Sequence, residues 1–391
     1  MTLITLVVVA VLFIGITVAT YKKFWDSQLT AQVEFLQGEI EEGQNLTIKE
    51  IVENRKVLPL PTLLVKFETD RSIQCLKDGN SKVTDKMYRS DCISIMSYQR
   101  VTHYIDAIGT SRGFFGVNPV YLVATDILFR SIFTKKVENN SWIYVYPARS
   151  KFIQLPEILR RMSGEYLTEQ RLREDSLEFY GIRDYVQTDP MRKINWKVSA
   201  KTGGLKVNQY FDSISRRFTI FLNVSQKGNQ RYYDLIEESI RIARNFIEEF
   251  VGKGIPVRII SNGVDKLTRQ EIHIKEGAGT LHIDACLKQL ARMDIYGEVR
   301  DMQELICEQC MKESVASREG EVSLLLSAEQ SPELAKAYLE YAGDSGSANW
   351  VIPIHKAMKE FITEQMSIER VRGTSGQYIR TEYLIMEELE G

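Results

Sequence analysis

The spacing of apolar residues changes character twice along the chain. The first 21 residues, MTLITLVVVAVLFIGITVATY, carry no charged side chain and then meet KKFW. At about 1.5 Å per residue such a helix reaches about 30 Å, the hydrocarbon thickness of a bilayer. The run lacks the preceding positive charge and the small-residue exit of a cleavable signal peptide. It predicts one anchoring helix over 1–21, with Tyr21, Phe24 and Trp25 at the lipid–water interface. Lys22 and Lys23 place the amino terminus outside and the remainder in the cytoplasm, as a single-pass protein of the cell membrane.

From residue 27 to 149 apolar and polar positions alternate, as in QVEFLQGEI, LPTLLVKFET and SWIYVYPA. Period two with β-branched and aromatic bias predicts an all-β sandwich. Residues 150–178 read as a linker with a short helical piece. After residue 216 buried strands (RRFTIFLNV, IPVRIISN, EVSLLLSA, WVIPIH) alternate with amphipathic helices, the longest being DLIEESIRIARNFIEEFVGKG. That grammar implies β-α-β units and a doubly wound parallel sheet over 216–391, with function at the carboxyl ends of its strands.

Between these parts lies YGIRDYVQTDPMRKINWKVSAKTGGLKVNQYFD, residues 180–212. Ile194, Trp196, Val198 and Ala200 alternate with polar residues, TGG supplies a turn, and Leu205 and Val207 continue the apolar face. This predicts a β-hairpin, entered through an Asp189 N-cap with Pro190 inside it. The segment 150–215 is thus a linker followed by a turn and hairpin. Arg183, Arg192, Trp196 and Lys197 on it form either an anion or partner site, or an Asp–Arg network pinning the hairpin with Trp196 as core. The interleaved acids Asp184, Asp189 and Asp212 favour the second.

Composition narrows the chemistry. With 44% hydrophobic and 26% charged residues the chain is an ordinary folded protein, and a net charge of −2 argues against nucleic acid. Five cysteines make a poor disulfide framework; Cys307 and Cys310 fall on a helical core pattern and supply half a zinc site. The histidines at 103, 273, 282 and 355 are scattered. No nucleophile elbow, zinc-protease motif or phosphate loop occurs, and Cys286 or Cys307 would need a base to act as a nucleophile.

The segment from Arg183 resembles the signature of the domain of unknown function 58 family, membrane-anchored bacterial and archaeal proteins. The matching residues are Arg183-x-Tyr185, Asp189, Arg192, Ile194-x-Trp196, Ser199-Ala200-Lys201 and Leu205-x-Val207, with SRGFFGVNPVYLVATDILF and YVYPA before them. Thr188 and Lys201 depart from the family's glycine and arginine, and the chain has one anchor helix where many members have two. The resemblance covers nearly the whole chain. It implies a final domain similar to von Willebrand factor A domains, whose metal-ion-dependent adhesion site would fall on Asn223, Ser225, Lys227, Thr280, Ser327 and Glu329. A neutral amide at 223 and a cation at 227 weaken Mg²⁺ binding, so no cofactor is expected. The family's setting further implies a non-enzymatic adaptor working with a MoxR-type AAA+ ATPase in assembly or maturation of envelope complexes. Two alternatives compete: an Mg²⁺-dependent hydrolase using Ser225, Thr280 and Glu329, and binding of anionic lipid or nucleic acid by Arg192, Lys193, Lys197 and Lys201.

Overall fold

Helix α1 (Thr2–Phe24) is long and apolar enough to cross a membrane, by length and composition. Its end departs from the interfacial placement expected of the aromatic run. Tyr21 and Trp25 are buried in the apolar core of the following β domain, and only Phe24 among the three is exposed. The Tyr21 hydroxyl donates to the Pro59 carbonyl at 2.8 Å, and Trp25 stacks on Phe133 at 5.7 Å. The computed structural model describes the chain except residues 1, 77–78, 127–128, 176–178, 187–188, 190, 192–193, 211–216, 226–231, 314–317, 319–320, 344–347, 357–378 and 387–391. Two units result: residues 1–148 with 287–292, and 149–286 with 293–391.

The first unit is the β domain that the alternation implied. Its strands are β1 (Leu29–Phe35), β2 (Glu39–Glu41), β3 (Asn45–Asn54), β4 (Leu60–Asp70), β5 (Ile73–Cys75), β6 (Ser81–Val83), β7 (Lys86–Ile95), β8 (Arg100–Gly109), β9 (Gly113–Val117), β10 (Val120–Thr125), β11 (Ile132–Val137) and β12 (Ser141–Tyr146). They pair as β1-β3-β8-β5, β11-β10-β4-β7-β6 and β2-β12-β9. Buried alternate positions of the first two sheets, such as Ile48, Val52 and Ile105 against Leu63, Val65 and Leu122, fill one common apolar core.

In the second unit, residues 155–175 form a full helix, α2 (Leu155–Asp175), where a linker with a short helical piece was expected. Leu155, Ile158, Leu159, Met162 and Tyr166 give it a buried stripe at helical spacing. Then follow β13 (Phe179–Asp184), α3 (Trp196–Thr202), β14 (Lys206–Tyr210), β15 (Phe218–Leu222), α4 (Tyr233–Gly252), β16 (Val257–Asp265), β17 (Glu271–Gly277), α5 (Thr280–Arg292), β18 (Met293–Asp294), α6 (Met302–Lys312), β19 (Val322–Leu326), α7 (Pro332–Ala342), β20 (Ala348–His355) and β21 (Arg380–Met386). The large sheet runs β17-β16-β15-β19-β20-β21, with β18 also on β16. Its β16-β15-β19-β20-β21 pairings are all parallel, while β17 joins β16 antiparallel. Helices cover both faces: Phe218 stacks on Phe250 of α4 at 3.9 Å, and Phe221 meets Tyr341 of α7 edge-on at 4.7 Å. Strand β21 is an element that the apolar pattern did not announce.

Lys56 is a cost within the first unit. It is buried, and its ammonium has no hydrogen-bond partner among the described residues. Burial, aided by Lys135 and opposed by Asp26, pulls its pKa down to about 8. Below pH 8 both folded and unfolded chains hold the proton, so the full penalty stands. Between pH 8 and the ordinary lysine value the unfolded chain binds more protons, and stability rises with pH. Lys56→Met is therefore expected to stabilise the protein by about 1–3 kcal/mol at pH 7, with the gain fading above pH 9, in urea unfolding followed across pH.

Candidate functional site

Counted in chain order, the six-strand path reads 3-2-1-4-5-6, and the order reverses between β15 and β19. In open α/β sheets such a switch point, at the carboxyl ends of the strands, is where ligands bind. Parallel register sets Leu222 beside Leu326 on one side and Ser261 on the other. The polar residues that follow therefore converge. Asn223 donates from Nδ2 to Ser327 Oγ at 2.9 Å and to Glu329 Oε2 at 3.1 Å. Its Oδ1 lies 2.9 Å from Asn262 Nδ2 and from the Ser225 amide, and 2.7 Å from Ser225 Oγ. Ser225 Oγ is also 3.0 Å from Glu329 Oε2, while Ser327 Oγ donates to the Glu329 carbonyl at 2.9 Å. Asn262 completes the knot by accepting from the Val224 amide and donating to the Arg300 carbonyl.

Asn223, Ser225, Ser327 and Glu329 thus come together. Thr280 does not. Because β17 runs antiparallel, its last residue Gly277 pairs with Val257, at the amino end of the parallel strands. Thr280 begins α5 just beyond, at the opposite end of the sheet from Asn223. Lys227 lies outside the described residues. The donor set does not suit Mg²⁺. Three donors crowd the Asn223 carbonyl oxygen, and among the described residues Glu329 is the one acid in the knot, with its Oε2 accepting from Asn223. The set is no better for hydrolysis: the Ser225 hydroxyl is divided between Asn223 and Glu329, and a carboxylate is a weak base for an alcohol. Asn262 was missed by sequence reasoning, although a polar Asn-Gly step closing the apolar run IISN marks it.

The predicted hairpin at 194–207 is instead a seven-residue helix between two paired strands. β13 pairs with β14, and α3 sits between them. Asn195 caps α3 by accepting from the Val198 amide at 3.0 Å, and Gly203 ends it at φ 71°. Four alternating apolar residues are too few to distinguish a strand from a short helix, and the two caps decide. Trp196, expected as core, is 63% exposed. Asp189 spends its carboxylate on Arg183, in a bidentate pair at 2.6 and 2.7 Å, and on the Val186 amide at 3.0 Å. It thus ties a turn, while residues 190, 192 and 193, where the expected cap would lead, lie outside the described residues. Tyr185 is half-buried, and Lys197 and Lys201 stand exposed on α3. Arg192 falls outside the described residues.

His282 is not placed to serve Cys286 as a base. Burial pushes the Cys286 thiol up to about 12. His282 Nε2, 3.5 Å from its sulfur, lies 2.8 Å from the Val257 carbonyl, which can only accept, so that nitrogen carries the proton. Replacing Asn223 by Asp turns two donated bonds into contacts between acceptors beside Glu329, at a position 1% exposed. Asn223→Asp is expected to lower stability by about 2–3 kcal/mol in urea unfolding, and Mg²⁺ at about 5 mM should leave the unmodified protein's midpoint unchanged.

No family model matches the chain, and no curated protein does. Among solved structures, the CARDB domain of the PF1109 protein from Pyrococcus furiosus is 10% identical, over 28% of this chain and 91% of its own, with a TM-score of 0.19. A non-cellulosomal cohesin from Archaeoglobus fulgidus is 12% identical, over 30% of this chain and 91% of its own, at TM-score 0.20. The major pilin SpaD from Corynebacterium diphtheriae is 8% identical, over 30% of this chain and 34% of its own, at TM-score 0.24.

Proposed function

We propose that this chain is a membrane-anchored interaction protein without catalytic activity of its own, and that it docks a partner through residues 182–205. The observation that carries this reading is exposure. Ile182, Val186, Met191, Trp196 and Leu205 are between 37% and 71% exposed within one short segment. Exposed large apolar side chains concentrated in this way mark interaction surfaces on otherwise ordinary folds. Lys197 and Lys201 beside them favour a partner surface with acids at its rim. By contrast, the knot at the switch point satisfies its own polar groups, which suits a rigid support for loops better than a reaction centre.

The anchor reading draws on Tyr21 and Trp25. A helix whose last turn lies in the core of the next domain suits a retained segment, since cleavage would strip that core. The helix would then hold the protein in the cell membrane, with the remainder in the cytoplasm as the two lysines imply. The partner implied by the resemblance is a MoxR-type AAA+ ATPase, and the process is assembly or maturation of envelope complexes. Tagged full-length protein in detergent is expected to co-elute with that ATPase. Trp196→Ala combined with Lys201→Glu should cut the recovered ATPase at least about tenfold while leaving the unfolding midpoint unchanged. Undiminished co-elution, or turnover of a substrate by the pure protein, would sink the proposal.

A further inference from the structure

We propose that the β-sandwich carries a divalent-cation site built from Glu50, Asp91 and His103. One donor atom from each residue lies within 4.8 Å of the others. The three come from separate strands: Glu50 on β3 sits directly opposite His103 on β8, and Asp91 comes from β7 in the second sheet. Alternation along β3 should reserve the Glu50 position for an apolar residue, since Ile48 and Val52 on either side are in the core. A carboxylate there needs a physical reason.

The surroundings supply none within the chain. Glu50 is 1% exposed, and neither of its carboxylate oxygens has a hydrogen-bond partner among the described residues. Arg89 is directed at Asp91, with Nε at 2.5 Å and Nη2 at 3.0 Å from its two oxygens, and Asn80 donates to Asp91 Oδ1 at 3.0 Å. Asp91 is thereby matched in charge and fixed in orientation, as a supporting shell fixes a ligand. Glu50 is the acid left over.

A buried acid that is left over is neutralised either by a proton or by a cation. A proton would engage the two acids alone and leave the exposed His103 uninvolved. A cation uses all three residues: two buried carboxylates from facing sheets and a solvent-exposed imidazole, whose exposed side leaves room for a water. With nitrogen and oxygen donors and no thiolate, the set belongs to zinc and its first-row neighbours rather than to soft metals.

The test uses the full-length protein in detergent, stripped with EDTA and titrated with ZnCl₂. We expect one saturable zinc ion per chain, accompanied by a rise in the unfolding midpoint. His103→Ala, an exposed position that leaves the core intact, should weaken binding at least about 30-fold, and Glu50→Gln by a similar factor. Absence of saturable binding overturns the proposal, as does binding that both variants retain. Loss of zinc confined to the Cys307→Ser variant would assign the ion to the cysteine pair, and overturns it equally. A Glu50→Gln protein that is more stable and a parent that ignores zinc would establish the proton instead.

Discussion

The parallel pairing of β15 with β19 is the constraint on which the second unit depends. These strands lie about a hundred residues apart in the chain, yet Phe218 stands beside Val322 and Leu222 beside Leu326. Every residue of both strands is buried, so the pair is held by apolar area on two faces as well as by its hydrogen-bond ladder. Once the register is set, the residues flanking each strand meet without further choice. At one end Asn223 meets Ser327 and Glu329. At the other, Arg217 meets Glu321.

The two ends solve opposite electrostatic problems. At the amino end Arg217 and Arg258 both pair with Glu313 and Glu321, and Tyr341 donates to Glu321 at 3.0 Å. Burial works against both guanidinium charges, but the acids outweigh it for Arg217, and Tyr341 and Glu321 foremost for Arg258, so both pKa values stand raised. Removing Arg258 or Glu321, both buried, would leave the rest of the network with an excess charge. At the carboxyl end the corresponding job is done mainly by amides and hydroxyls, which serve as donor and acceptor together. Asn223 is the hinge of that economy: an acid there would require a cation, whereas the amide is satisfied by its neighbours.

Much of this was legible in the sequence, and the failures have physical causes. Helices α4, α6 and α7 declared themselves by buried stripes, and β15 and β19 by short apolar runs between turn formers. The alternation of the first unit is the sandwich pattern itself. Segment 194–201 misled because its four alternating apolar residues stand without a core to read against; Ile194 is buried but Trp196 is not. Thr280 misled because chain order does not state strand direction, and a single antiparallel strand moves the following residue to the far end of the sheet. Tyr21 and Trp25 misled because an aromatic after an apolar helix suits a lipid interface and a domain core equally well.

The junction at α1 alters what the first unit does mechanically. A helix joined to a domain by a flexible tether leaves that domain free to tumble. Here the last turn is locked to the sandwich by Tyr21 on the Pro59 carbonyl, by Trp25 against Phe133, and by the Lys135–Asp26 pair at 3.3 Å. Of these the buried aromatic contacts carry the weight, since a half-exposed ion pair adds little. A helix joined in this way has its axis fixed in orientation to the sandwich. The sandwich then acts as a rigid extension of the helix, and its interior has to hold that rigidity with a buried acid, Glu50, in the midst of its apolar core.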